Sequence, residues 1–251
     1  MKQHYTSLLC LFALSLFLFS SSCSPEDEPK PEPVTGTSME FTILNNDGNP
    51  VEGALVKLYD SEENYLQESE SALAGSGTSD ENGKVKLSGL DPKTYYFSVT
   101  YGTSTFLTNW DGIVTTEEPL EELKINTLSV VIKESVLGYI AGYQKSWILD
   151  KIYVGEQDYT HQLPACSRDG LMTFTKSFLH HHDEGATKCE STDPQEKSGH
   201  FSINGNSITT VYEDGDDVII NILSMGKDKL EINGPDLHPD ARLIFKAVYT
   251  Q

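Results

Sequence analysis

Two long stretches of this chain alternate apolar and polar residues with the period of a β-strand, and no stretch of comparable length keeps a helical period. The first begins at Phe41-Thr42-Ile43-Leu44 and stops at the turn residues Asn45 to Pro50. Ala54 to Tyr59, Lys84 to Leu87, Tyr95 to Tyr101 and Asn126 to Lys133 read as further strands. The turns Asp80-Glu81-Asn82-Gly83 and Gly89-Leu90-Asp91-Pro92 separate some of them. Short strands at such spacing predict a β-sandwich over 38–134. Residues 135–144 (SVLGYIAGYQ) form a glycine-containing junction, in which Val136, Leu137 and Ile140 are available to pack. A strand opens again at Lys145-Ser146-Trp147. Further strands are predicted at Leu171–Lys176, His200–Ile203, Ser207–Tyr212, Asp217–Ser224, Lys229–Asn233 and Arg242–Tyr249, with sharp Asn/Asp/Gly turns between most of them. A meander of about eight strands without a convincing helix reads as an up-and-down barrel over 145–251, because closure removes the exposed edges. The expected fold class is all-β.

The amino-terminal segment departs from this pattern. Lys2 is followed by a twelve-residue apolar run, Leu8 to Phe19, and then by three serines and Cys23. The run is too short to span a bilayer and has small residues ahead of a cleavage point, so 1–22 reads as a secretory signal peptide. From Ser24 to Thr37 the chain is rich in Pro and Glu and cannot bury a core. Residues 23–37 are expected to form an extended tether, reaching roughly 40 Å at about 3.1 Å per residue.

Charge narrows the partners. The net charge of −20 opposes binding to nucleic acid or anionic lipid headgroups. Cysteine usage narrows the compartment. Cys10 leaves with the signal and Cys23 stands at its cleavage point. That leaves Cys166 and Cys189, which an exported chain usually pairs. The alternative, a metal held by these two, lacks further Cys or His at ligand spacing beside either one.

Few constellations carry chemistry. His180-His181-His182-Asp183-Glu184 is the one dense run of ligand-type residues. On a strand His180 and His182 would share a face suited to zinc or copper, but the run is expected at a solvated hairpin tip beside Gly185, so no metal is assigned. Asp47, Asp80, Asp91, Asp214, Asp216 and Asp217 lie in Gly/Asn-rich segments that fit ordinary turns better than calcium loops. No nucleophile elbow, zinc-protease motif or phosphate loop occurs, so neither an enzyme nor a cofactor is expected. Tyr101, Phe106, Trp110 and Tyr139 are a candidate sugar-stacking platform. Trp110, in Thr108-Asn109-Trp110-Asp111-Gly112, is its best member, because a Trp in a polar loop is not obviously core.

Three resemblances attach to these residues. Ser20-Ser21-Ser22-Cys23 followed by Ser24-Pro25-Glu26-Asp27-Glu28 resembles the signal of Bacteroidota-type surface lipoproteins. It implies acylation of Cys23 and display on the outer face of the outer membrane. "DGNPVEGALVKLYD" and "TSDENGKVKLSGLDPKTYYFSV" resemble the carboxypeptidase-regulatory or Cna-B-like sandwich of transthyretin type, which implies a non-catalytic spacer or binding module. Glu40 to Leu44 lacks the lysine, and Tyr95 to Tyr101 the glutamate, of a Lys–Asn cross-link, so no isopeptide bond is expected. Trp147, Cys166, Asp169, Phe174, Cys189, Gly199, Phe201 and Ile203 resemble the pattern of bacterial lipocalin-like domains. The combined expectation is a monomeric, lipid-anchored surface protein whose barrel binds a small apolar molecule or a protein partner, with Phe174 and Phe201 among the ligand contacts. Alternatives are an adhesin, a glycan-binding accessory lipoprotein contacting its target near Trp110, or a purely structural barrel. A ligand-binding barrel should hold an apolar cavity of several hundred Å³. A structural one should be plugged by Phe174, Phe178, Phe201 and Ile222.

Overall fold

The structure is a computed structural model, and it describes residues 36–249 except 103–105, 143, 193, 214, 216 and 235–237. The leader, Cys23, the start of the tether, Asp214 and Asp216 therefore lie outside the described residues. Strands β1 (Ser38–Leu44), β4 (Lys84–Ser88) and β7 (Ile125–Val131) form a three-stranded sheet in the order β4-β1-β7. β1 pairs with β4 antiparallel and with β7 parallel. Strands β2 (Leu55–Tyr59), β3 (Leu73–Thr78), β5 (Tyr96–Tyr101), β6 (Leu107–Thr108) and β8 (Lys133–Glu134) form a second sheet in the order β3-β2-β5-β6-β8.

The inward residues of the two sheets share one core. Phe41 and Ile43 of β1, Val85 and Leu87 of β4, Val56 and Leu58 of β2 and Phe97 and Val99 of β5 are all buried there. The rings of Phe41 and Phe97 meet with centroids 5.0 Å apart. In β4 the alternation is complete. Val85 and Leu87 face in, while Lys84 and Lys86 face water on an edge strand, where charge discourages pairing with other chains. A short helix, α1 (Glu62–Leu66), follows β2. Ser61 caps it by accepting from the Asn64 N–H, and Glu62 and Glu63 occupy its first turn.

Nine strands form the sheet of the carboxy-terminal half: β9 (Lys145–Val154), β10 (Gln157–Asp158), β11 (Leu171–Phe174), β12 (Leu179–Asp183), β13 (Glu196–Asn204), β14 (Ser207–Tyr212), β15 (Asp217–Met225), β16 (Lys229–Asn233) and β17 (Ala241–Tyr249). Neighbours pair antiparallel in sequence order, and β17 returns to pair with β9 from Ala241↔Val154 to Tyr249↔Lys145. That last pairing closes an eight-stranded barrel, to which β10 adds a hairpin on β9. The expectation of an all-β chain with a carboxy-terminal up-and-down barrel is met.

Two local expectations are corrected. His180 to Asp183 do not form a hairpin tip. They lie inside β12, between β11 and β13. The junction 135–144 carries a helix, α2 (Val136–Ala141), with Ser135 as its N-cap and Leu137, Tyr139 and Ile140 buried. This helix belongs to the second hydrophobic core. That core also holds Phe106 and Trp110 from the first half, together with the barrel's Trp147, Phe174, Phe201, Ile208 and Leu230. A side chain at Gly138 would run into the Phe106 ring at 2.7 Å, so glycine is what lets α2 lie this close. The described residues cluster as one compact unit.

Candidate ligand-binding site

The strand register divides the barrel interior into two levels. Met172 pairs with Trp147 and with His182, and Leu149 with Phe245. Two residues further along β11, Phe174 pairs with His180. The level of Phe174 faces the first half of the chain and is filled. Phe174 and Phe201 are buried and meet edge-to-face with ring centroids 5.1 Å apart, and Ile208, Ile222 and Leu230 are buried around them. Phe178, expected in the plug, is 43% exposed. It sits in the β11–β12 turn with positive φ, and its ring covers Phe201 from outside at 5.4 Å. Phe174 and Phe201, expected to touch ligand, instead form the plug. Among the described residues they do not line the cavity above it.

That cavity has a volume of about 400 Å³. Its walls are Trp147 and Leu149 of β9, Met172 of β11 and Phe245 of β17, with the polar groups of Tyr212, His182 and Glu184. The rim is the Cys166–Cys189 disulfide with Ser167 and Gly170. The bridge joins the short 3-10 turn Ala165–Arg168 to the segment after β12, with the two Cα atoms 5.1 Å apart. It confirms the pairing expected from the cysteine arithmetic. Asp169 supports the same rim, since its carboxylate accepts from the Thr187 N–H at 3.0 Å.

Trp147, at the level of the cavity, is fully buried. Its indole N–H donates to the Ile140 carbonyl of α2 at 2.9 Å, and the Lys145 ammonium lies 4.4 Å from the ring centre. Lys145 donates to the Lys227 carbonyl at 2.7 Å, and burial pushes its ammonium down to about 8.

His180 is the unusual group. It faces inward one pleat below His182 and is 0% exposed. Among the described residues neither ring nitrogen makes a hydrogen bond of ordinary geometry. Its ring packs between Phe174 at 6.2 Å and Tyr212 at 4.5 Å. Gly199 makes the second contact possible. It pairs with His180 on one side and Tyr212 on the other, so a side chain there would stand between the rings. A Cβ at 199 would also fall 2.1 Å from the Val211 carbonyl oxygen. Burial, followed by the neighbouring His181 and His182, pushes the imidazole down to about 4, which leaves it neutral at pH 7.

The alternation of β12 separates the three histidines. His181 points outward to the Ser198 hydroxyl at 2.8 Å, while His182 lies 3.8 Å from the Glu184 carboxylate. Among the described residues no three His, Cys, Asp or Glu side chains converge on a common point. Of the turn aspartates, Asp217 opens strand β15 and Asp80 caps its turn. Asp80 accepts from the N–H groups of Asn82 and Lys84.

The exposed aromatic platform expected around Trp110 does not form, although Phe106 and Trp110 line a separate pocket of about 400 Å³ with Lys57, Glu68 and Glu70. Phe106, Trp110 and Tyr139 are buried, with Trp110 only 8% exposed, and Tyr101 alone stays at the surface. The loop looked exposed because it is polar, but its polar groups are satisfied inside the protein. Asn109 accepts from the Val99 N–H and donates to the Phe97 and Ile113 carbonyls. The Trp110 indole donates to Ser98 at 2.8 Å. One face of Trp110 is occupied by Lys176 of the β11–β12 turn, whose ammonium lies 4.5 Å from the ring centre. Lys176 also lies 3.8 Å from the Tyr65 ring and donates to the Tyr65 carbonyl and to Glu68. Its side chain is 3% exposed, and burial pushes the ammonium down to about 8 against the opposing pull of Glu68. The sequence reading missed this lysine. Its signal was the face Met172, Phe174, Lys176, an apolar row ending in a charge.

Comparison with known proteins supports the fold of the barrel. A family model described as a lipocalin-like domain matches residues 143–232. No curated protein matches the chain in sequence. Among solved structures, the shaft pilin SpaA from Lactobacillus rhamnosus GG aligns over 86% of this chain and 95% of its own, at 12% identity and a TM-score of 0.27, a level that carries no weight for fold or function.

Proposed function

We propose that the lipocalin-like barrel is a non-enzymatic binding module that holds a small, largely apolar molecule in the cavity between Trp147, Leu149, Met172 and Phe245. One observation carries the reading. The barrel is plugged at the level of Phe174 and Phe201 but leaves about 400 Å³ above Trp147, within the range of small-molecule sites. The walls are mostly apolar, with Tyr212, His182 and Glu184 as the polar lining groups, and a disulfide fixes the rim. In this reading the first half is a rigid spacer, and acylation at Cys23 displays the module on the outer membrane.

The neutral fluorophore N-phenyl-1-naphthylamine tests it on the mature chain. Saturable binding is expected, and Met172→Trp, which fills the cavity, should abolish it while circular dichroism and melting temperature hold. A folded protein that shows no saturable binding rejects the small-ligand reading.

A further inference from the structure

Resting on that small-ligand reading, we propose that the cavity selects organic cations, molecules with an apolar or aromatic body and one ammonium group seated at Glu184. Glu184 lines the cavity with its side chain only 13% exposed. Its one ionic neighbour among the described residues is His182 at 3.8 Å, beyond hydrogen-bond length. No lysine or arginine lines the cavity itself, and Lys197, the cross-strand partner of His182, lies over the Tyr212 ring at 5.9 Å rather than in an ion pair with Glu184.

An anionic ligand would bring a second negative charge into the largely apolar pocket beside that carboxylate. A cationic ligand would supply the missing charge, form a charge-assisted hydrogen bond and meet aromatic rings in the walls. The ammonium belongs at the mouth. Within the cavity the Trp147 ring already carries the Lys145 ammonium, which disfavours a second cation beside it. The net charge of −20 acts in the same direction, concentrating cations near the surface before they bind.

Three ligands of one shape decide the matter: 1-naphthylmethylamine, 1-naphthalenemethanol and 1-naphthoate. They are titrated into the mature protein by calorimetry at pH 7 and low salt, with N-phenyl-1-naphthylamine as the neutral reference. The amine should bind about tenfold or more tighter than the alcohol, and the naphthoate about tenfold or more weaker. Glu184→Gln should bring the amine to the affinity of the alcohol and leave the alcohol unchanged. If the alcohol binds saturably and the amine binds no tighter, the charge inference falls while the small-ligand reading stands. An amine preference that survives Glu184→Gln overturns the seat at Glu184. If none of the four compounds binds the folded protein, the small-ligand reading itself fails and takes this inference with it.

Discussion

Lys176 of the barrel places its ammonium 3.8 Å from the centre of the Tyr65 ring in the sandwich half. Trp110 covers it at 4.5 Å, and Glu68 and the Tyr65 carbonyl accept its hydrogen bonds. A buried lysine is costly unless its charge is met. Here two aromatic faces, one carboxylate and one carbonyl meet it, and all of them come from the other half of the chain. The contact therefore ties the barrel to the sandwich through a charge that neither half satisfies alone.

Lys176→Ala should destabilise the protein by about 3 kcal/mol, because it leaves Glu68 and the two rings without their cation. In calorimetry the single transition of the wild type should broaden or split in the variant. A variant that melts like the wild type would show the contact to be energetically idle. Fragments starting at Ser135 and at Lys145 both lose Phe106 and Trp110, but only the second also loses α2 from the second core, so it should melt well below the first.

Acid should weaken the fold through His180. Its native pKa of about 4 lies below the ordinary value of 6.5, so the unfolded chain takes up the proton first as pH falls. The stability contributed by keeping this group neutral is present above pH 6.5 and is lost between about 6.5 and 4. The loss should be about 1–3 kcal/mol in urea unfolding across that window. His180→Phe should flatten the dependence. An unchanged slope in that variant would place the titrating group elsewhere.

Reducing the Cys166–Cys189 bridge should cost about 3 kcal/mol and loosen the cavity rim. Thiol titration of unfolded, unreduced mature protein should find neither cysteine free. Reduction should also weaken N-phenyl-1-naphthylamine binding, which native fluorescence titration with and without dithiothreitol measures.

Cys23→Ala should release the protein from the membrane fraction or stall its precursor, and mass spectrometry of the wild type should find acyl chains on Cys23. An unmodified wild type with unchanged fractionation would remove the anchor from the proposal.

The sequence by itself determined most of the strands and turns and the bridge, but not β3 or β12. Ser207–Tyr212 and Lys229–Asn233 fall where alternation places them, because a period of two is a local property written residue by residue. Helix α1 went unread, because its five residues are too few to show a helical period. The Cys166–Cys189 pair followed from counting.

Tertiary structure alone decided which side chains meet. Trp110 reads as a surface residue from its polar loop and becomes buried because Asn109 finds three backbone partners and Lys176 arrives from another element. His180 and His182 share a face, as a strand requires, but barrel closure puts one beside the plug and the other in the cavity wall. Phe174 and Phe201 are apolar and inward in either case. Whether such residues line a ligand or fill the space depends on what reaches them across the barrel, and that is set by the β17–β9 pairing between residues roughly a hundred positions apart, which no local pattern encodes.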